Sequence, residues 1–201
     1  MKQFIVIGLG HFGKSVAHTL FNLGYDVLGV DKDEESVQSM ANTITHVVQA
    51  DATDEDSLKA LGVSNFDVGI VSIGQDIQAS ILITLLLKEL GAKYVVAKAL
   101  SDIHGKLLYK IGADRVAFPE RDMGVRVAHN LISSSVLDYI ELSPDFSIVE
   151  ISAIPMWYDK SLGELNMRAK HGINVLAIKR NDSLIVSPKA SDIIKEEDIL
   201  V

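Results

Sequence analysis

Runs of apolar residues alternate with amphipathic segments along the first part of the chain. The apolar runs are rich in valine and isoleucine and do not alternate with polar residues, which is typical of strands buried on both faces of a parallel sheet. Each run has the length of a strand, and the segments between the runs are long enough for helices. The runs predict six strands, over residues 4–8, 26–31, 46–51, 67–73, 94–99 and 115–119.

The segments between the strands predict five helices. In the first of them, the residues Phe12, Val16 and Leu20 form one apolar stripe at helical spacing. Aspartates stand near the helix starts and glycines near the helix ends, the positions at which each caps a helix. This alternation predicts an α/β fold, a Rossmann-like doubly wound parallel sheet of six strands. The five helices cover residues 11–23, 33–42, 54–61, 76–90 and 102–111.

The remainder of the chain has a different organisation. A long helix is predicted over residues 120–140, and its apolar side includes Val136. A linker is predicted at 142–147, so that a first domain covers 1–141 and a small α+β domain covers 142–201. The chain closes on "EEDILV", the beginning of a strand, which indicates a domain cut short. Within the second domain, strands are predicted at 147–153, 174–180 and 183–187, with a helix at 162–170.

Composition narrows the class of protein. The chain has 201 residues, 48% of them hydrophobic, no cysteine and a formal net charge of −8. These features exclude disulfides, thiolate metal sites and cysteine nucleophiles, and they predict no basic surface for nucleic acid. The first residues lack the pattern of a signal peptide, and the longest apolar run, residues 81–87, is far shorter than the roughly 20 residues of a membrane span. We therefore expect a soluble, cytoplasmic protein.

Three glycines follow the first predicted strand at the spacing G-x-G-x-x-G. Gly8 permits the tight turn out of the strand, Gly10 lets a pyrophosphate approach the backbone, and Gly13 lets the helix pack closely. The following helix offers unpaired N–H groups and a partial positive charge to phosphate. Asp31 ends the second predicted strand, where its carboxylate accepts hydrogen bonds from ribose hydroxyls and disfavours a 2′-phosphate. The pattern predicts an adenine-nucleotide site that disfavours NADP.

Other candidate residues follow the carboxyl ends of the remaining strands, where open α/β sheets bind their ligands. Taken singly, each residue is equally consistent with an ordinary loop. Because the strand ends meet at one edge of the sheet, we expect these residues to share one crevice. They are Asp51 and Ala52 after the third strand, Ile73, Gly74 and Gln75 after the fourth, Lys98 after the fifth and Glu120 after the sixth.

Longer motifs make the chain resemble the RCK/KTN family, the TrkA-N plus TrkA-C regulatory subunits of bacterial potassium uptake systems, and most closely its KtrA-type members. The resemblance covers nearly the whole chain. It rests on "FIVIGLGHFGKSVA", "GVDKDEE", "ADATDEDSL", "VSIGQDIQASILITLLLKELGA", "KIGADRVAFPERDMGVRVA" and "IELSPDFSIVEISA". It implies a cytoplasmic regulatory subunit rather than an enzyme. Homodimers are implied to assemble into an octameric ring beneath a KtrB/TrkH-like membrane transporter, with ATP favouring the conducting arrangement and ADP the inactive one.

The resemblance also implies ligands for particular residues. Glu120 is implied to help hold Mg²⁺ or Ca²⁺ near the nucleotide phosphates at the dimer interface, a role that suits a carboxylate oxygen. In the second domain, cyclic di-AMP is implied to bind between two subunits at Arg168, Asn174, Val175 and Pro188. The nucleotide is ATP or ADP, with NAD(H) as a further candidate. Its implied contacts are Gly8, Gly10, His11, Phe12, Gly13, Asp31, Lys32, Asp33, Asp51, Ala52, Ile73, Gly74, Gln75, Lys98, Ala99, Leu100, His104 and Glu120.

His11 departs from the family pattern, which has an arginine at this position that reaches a γ-phosphate across the dimer. Histidine is shorter and only partly charged near neutral pH, so the departure weakens the expected discrimination of ATP from ADP. We hypothesise that ATP binds more tightly as the pH falls from about 8 to about 5.5, because His11 gains charge. The alternative is that His11 simply faces solvent.

Two other functions fit parts of the sequence. An NAD-dependent oxidoreductase would share the glycine loop and Asp31, but the segment after the predicted linker is short for a substrate domain. A DNA-binding repressor with a Rossmann core is disfavoured by the acidic net charge and by the lack of a winged-helix segment. Turnover of NADH with carbonyl substrates, or a gel shift at low salt, would identify these alternatives.

Overall fold

A computed structural model describes residues 2–132, 136–143 and 146–201 of the chain. The chain divides into two compact units, Met1–Glu120 and Arg121–Val201, whereas the sequence places the domain boundary at 141/142. Among the described residues, no helix is both long and apolar enough to cross a membrane.

The first unit contains a sheet of six strands in the order β3-β2-β1-β4-β5-β6, all paired in parallel, which confirms the doubly wound fold. The order reverses between β1 and β4, the place at which such sheets open a ligand crevice. Its strands are β1 (Gln3–Ile7), β2 (Asp26–Asp31), β3 (His46–Gln49), β4 (Val68–Val71), β5 (Val95–Lys98) and β6 (Arg115–Ala117). The helices begun in this unit are α1 (His11–Asn22), α2 (Glu34–Met40), α3 (Glu55–Ala60), α4 (Ile77–Glu89), α5 (Asp102–Lys110) and α6 (Pro119–Ile132).

Both faces of this sheet are covered, which explains the lack of apolar–polar alternation in its strands. In β1, Ile5 and Ile7 belong to one buried apolar cluster, while Val6 between them belongs to a second cluster. All three side chains are almost completely buried. Burial of this kind stabilises a fold by about 1.5 to 3 kcal/mol for each such side chain.

The helices that start at the carboxyl edge of the sheet differ in whether a side chain caps their first turn. The side chains of Asp33, Asp54, Asp76 and Ser101 each accept a hydrogen bond from a backbone N–H in the first turn of α2, α3, α4 and α5, respectively. The residue at the same position of α1 is Gly10, which has no side chain to accept such a bond. The first turn of α1 therefore keeps donors that a ligand can satisfy.

The prediction of a helix over 120–140 is wrong beyond Ile132. Helix α6 ends there, and the chain forms β7 (Val136–Ser143), which pairs antiparallel with β8 (Phe146–Ser152). Val136 is therefore a strand residue, and the described residues of the predicted linker at 142–147 belong to β7 and β8. Residues 133–135 and 144–145, on which these predictions also fall, lie outside the described residues.

Side-chain contacts between α6 and β7 favour the strand. Arg126 donates to both carboxylate oxygens of Asp138. The rings of His129 and Tyr139 stack with their centroids 3.9 Å apart. These contacts need β7 to run beside α6, an arrangement that one continuous helix would prevent.

The second unit contains an antiparallel sheet in the order β10-β9-β11-β8-β7. The single helix predicted at 162–170 is two short helices, because Asn166 adopts a left-handed conformation with φ of 47°. The remaining elements of this unit are α7 (Leu162–Leu165), α8 (Met167–His171), β9 (Ala177–Arg180), β10 (Ser183–Val186) and β11 (Ile199–Leu200). The small α+β domain is thereby confirmed, with β11 as a central strand.

A buried ion pair joins β9 to the loop that precedes β11. Asp198 is completely buried, and Arg180 donates to its two carboxylate oxygens from Nε and Nη2, each at 2.7 Å. The backbone N–H of Lys195 donates to the same carboxylate at 2.7 Å. Burial alone would raise the pKa of Asp198, but Arg180 and this backbone donor hold the pKa below its ordinary value.

We expect Asp198→Asn to lower the free energy of unfolding at pH 7 by about 2 kcal/mol, because Arg180 loses its counter-charge. The pKa of Asp198 is lower in the folded than in the unfolded chain. Its stabilisation is therefore present above the unfolded pKa of about 3.9 and is lost as the pH falls through the folded pKa.

Urea unfolding of both proteins checks this prediction, and the difference between them should shrink in acid. Asp182→Asn, in the exposed turn between β9 and β10, is the matched control. An equal loss of unfolding free energy in Asp198→Asn and Asp182→Asn would contradict a stabilising role for the Asp198–Arg180 ion pair.

Candidate functional site

A cavity of about 340 Å³ opens at the carboxyl edge of the parallel sheet, where the strand order reverses. Loops from four neighbouring strands contribute to it. The sequence-predicted residues that line it are Gly8, Gly10, Asp31, Lys32, Asp51, Ala52, Ile73, Gly74 and Gln75. The structure thus brings most of the predicted strand-end residues into one crevice.

The loop between β1 and α1 is held in a conformation that requires glycine. Gly8 has a φ of +93°, a region that residues with a side chain rarely adopt. A Cβ on Gly13 would collide with the carbonyl oxygen of Gly8, so α1 can pack this closely only with glycine there. The Ser72 hydroxyl donates to the Gly8 carbonyl oxygen. The loop is therefore fixed from both sides.

Asp31 ties this loop to the end of β2. Its Oδ2 accepts a hydrogen bond from the backbone N–H of Leu9 at 2.6 Å, and its Oδ1 accepts one from the N–H of Asp33 at 2.9 Å. Each carboxylate oxygen has a second lone pair. Because Asp31 lines the cavity, those lone pairs are available to hydroxyl donors such as those of a ribose.

Two more carboxylates, Asp51 and Asp76, line the cavity. Asp51 accepts from the backbone N–H of Thr53 at 2.9 Å and from its hydroxyl at 2.7 Å, and these bonds lower the pKa of Asp51. Asp76, the cap of α4, is the third carboxylate of the lining. This concentration of negative charge disfavours phosphate and favours neutral hydroxyl and amine donors. An adenosine group suits a cavity with this lining.

Phosphate is better placed at the start of α1. A Cβ on Gly10 would meet no atom within 4 Å, so the backbone there is open to a ligand. His11 is exposed at the first position of the helix, and Phe12 is half-buried next to it. The Lys98 ammonium lies 5.9 Å from the centroid of the Phe12 ring, which brings a positive charge close to this helix start.

Lys98 is paired with Glu120 in this structure. Its Nζ donates to Glu120 Oε1 at 2.5 Å, and this bond lowers the pKa of Glu120. Glu120 alone does not make a cation site. In the part of the chain that the structure describes, no three or more His, Asp and Glu side chains are grouped to hold a metal ion.

The other predicted contacts are placed outside the cavity lining. His104 is 2% exposed, its Nδ1 accepts from the Leu100 N–H at 3.4 Å, and its buried Nε2 has no hydrogen-bond partner among the described residues. Burial lowers the pKa of His104. Ala99 is buried, Leu100 is half exposed, and the Asp33 carboxylate caps α2.

A second cavity, of about 460 Å³, lies in the second unit. All four residues predicted for cyclic di-AMP line it, namely Arg168, Asn174, Val175 and Pro188. Asn166, at the break between α7 and α8, also lines it. One guanidinium in a cavity of this size suits a phosphodiester group.

Three polar residues of the cavity at the carboxyl edge of the parallel sheet were missed by sequence reasoning: Thr53, Ser72 and Asp76. Thr53 stands two residues after Asp51, a spacing at which a hydroxyl can bond a carboxylate, and this signal could have identified it. Ser72 interrupts the apolar run of the fourth strand, and a polar residue buried at a strand end needs a partner. Asp76 was assigned only as a helix cap.

Comparison with known proteins gives a family for the chain. The TrkA-N domain model matches residues 4–119, and the TrkA-C domain model matches residues 146–201. Over 200 residues, the chain is 52% identical to Ktr system potassium uptake protein C and 50% identical to Ktr system potassium uptake protein A, both of Bacillus subtilis (strain 168). In both cases the match covers 100% of this chain and 90% of the relative.

Among solved structures, the GsuK channel bound to NAD has a TM-score of 0.70 and 18% sequence identity to this chain. The match covers 99% of this chain and 36% of the GsuK chain, and at this identity it shows the fold alone. The two domain matches span both units, and the Ktr relatives are similar over the full length. The chain therefore belongs to the TrkA-N/TrkA-C family.

Proposed function

We propose that this chain is the nucleotide-binding regulatory subunit of a potassium uptake system. The observation that carries the proposal is the crevice itself: the start of α1 lacks a side-chain cap, and the adjoining Asp31 carboxylate faces the cavity. This pair suits the diphosphate and the ribose of one adenine nucleotide. The similarity to Ktr system proteins over the whole chain supports potassium uptake as the process regulated.

The subunit acts by binding, not by catalysis. ATP and ADP can change the conformation of an assembly only if they bind its two arrangements with different affinity. The γ-phosphate, which ADP lacks, is the group that can create this difference. We infer that ATP favours the conducting state and ADP the inactive state, with NAD(H) as a further ligand of the same crevice.

The assembly that we propose is a ring of eight copies built from homodimers. It lies in the cytoplasm against the inner face of the membrane, where it contacts the membrane potassium transporter. Glu120 supplies one carboxylate oxygen to Mg²⁺ or Ca²⁺ in this assembly, and phosphate oxygens complete the ligands. Oxygen donors of this type fit either ion.

We expect nucleotide-free protein to bind ADP and ATP in calorimetry, and Asp31→Asn to weaken both by about tenfold or more. The loss follows because a carboxylate that accepts ribose hydroxyl bonds is replaced by a neutral amide. Asp26→Asn, at the opposite end of β2, is the matched control and should bind as the wild type does. Absence of heat with ATP, ADP and NADH would overturn the proposed function.

We expect His11→Arg to increase the preference for ATP over ADP by about tenfold, because an arginine can bond a phosphate with two parallel N–H groups. His18→Arg adds the same charge farther along α1 and serves as the control. The affinity of the wild type for ATP should increase as the pH is lowered from about 8 to about 5.5. This pH dependence should disappear in His11→Arg. A flat wild-type profile would instead indicate that His11 only faces solvent.

We propose that the second cavity binds cyclic di-AMP between two copies of the chain. Arg168→Ala should weaken this binding by about tenfold, since a phosphodiester loses its guanidinium partner. Lys170→Ala removes a neighbouring charge on α8 that does not line the cavity, so it should leave the affinity unchanged. Calorimetry with cyclic di-AMP measures both variants, and equal effects would indicate non-specific charge attraction.

A further inference from the structure

The ammonium group of Lys98 is positioned to meet either of two anions. It bonds Glu120 at 2.5 Å, yet it also lies 3.3 Å from the place that a Cβ on Gly74 would occupy. Gly74 lines the nucleotide cavity, and Phe12, whose ring centroid lies 5.9 Å from the ammonium, follows the open start of α1. A phosphate bound at that helix start would therefore come close to Lys98.

The two partners of this ion pair differ greatly in exposure. The Lys98 side chain is 10% exposed, whereas the Glu120 side chain is 65% exposed. A buried ammonium needs a counter-charge, because water cannot solvate it well. An exposed carboxylate can return to water at little cost. Replacing Glu120 by another anion beside Lys98 therefore costs much less free energy than leaving Lys98 without a counter-charge.

We propose that Glu120 is an internal competitor for the nucleotide phosphates. In the ligand-free protein it neutralises Lys98, and a phosphate that binds at the start of α1 takes its place. This inference rests on the proposed function, since it requires a nucleotide in the crevice. The exchange leaves Glu120 without its counter-charge whenever the crevice is filled.

The position of Glu120 in the chain determines what its carboxylate can contact after the exchange. Glu120 is in the first turn of α6 and is the last residue of the first compact unit. A carboxylate released there is free to take a new partner, which would be the cation or the partner copy of the proposed assembly. Nucleotide binding thus changes the charge presented at one defined point of the chain.

Calorimetry with ADP, in EDTA to remove divalent cations, tests the exchange. We expect Glu120→Gln to tighten ADP binding by roughly threefold to tenfold, because the phosphate no longer has to displace a carboxylate. Binding of adenosine, which has no phosphate, should not change. Lys98→Met should weaken ADP binding, and in that background Glu120→Gln should alter the affinity by less than about twofold.

Asp122→Asn is the matched control, because it removes one exposed negative charge two residues farther along α6 without touching Lys98. An unchanged or weaker affinity in Glu120→Gln would overturn the proposal. So would an equal gain in Asp122→Asn or in the Lys98→Met background, since either result would indicate general charge repulsion. If the wild type binds no ADP at all, the proposed function fails, not the exchange alone.

A crystal structure of the ADP complex provides a second measurement that does not depend on the folding of Lys98→Met. The exchange predicts that Lys98 Nζ lies within about 3.2 Å of a phosphate oxygen and more than about 4 Å from Glu120. Persistence of the Lys98–Glu120 bond in that complex would overturn the proposal.

Discussion

The hydrogen bond from the Leu9 N–H to the Asp31 carboxylate is the constraint on which the candidate site depends. It joins the end of β2 to the glycine loop after β1, and so it holds the loop at the point where the strand order reverses. Ser72 secures the same loop from β4. The open start of α1 and the carboxylates along the cavity keep their relative positions because these bonds connect three adjacent strands.

Much of the first unit could be predicted from the sequence because its signals are local. Uninterrupted apolar runs such as Ile5–Ile7 indicate burial on both faces, and Gly8 and Gly13 stand where only glycine fits. The segment after Ile132 could not be assigned in the same way. Its apolar residues fit both helical and alternating spacing, so their pattern alone does not distinguish a helix from a strand. The pairing of β7 with β8 determines that residues 136–143 form a strand.

In the candidate site, too, residues with a local signal could be predicted from the sequence, whereas those placed by tertiary packing could not. Asp31 could be inferred from its place at a strand end, since topology brings all such ends together. The burial of His104 could not, because it depends on how α5 packs against the sheet. The pairing of Lys98 with Glu120 also joins residues that are distant in the sequence, and spacing gave no signal of it.

The absence of a side-chain cap on α1 has a consequence for the energetics of the whole fold. Four neighbouring helices have a side-chain cap on their first turn, whereas the first turn of α1 has none and leaves its N–H groups to water or to a ligand. A nucleotide bound there, as we propose, would stabilise the domain as well as regulate it. Under that proposal, the resistance of the domain to thermal unfolding should rise with the occupancy of the crevice.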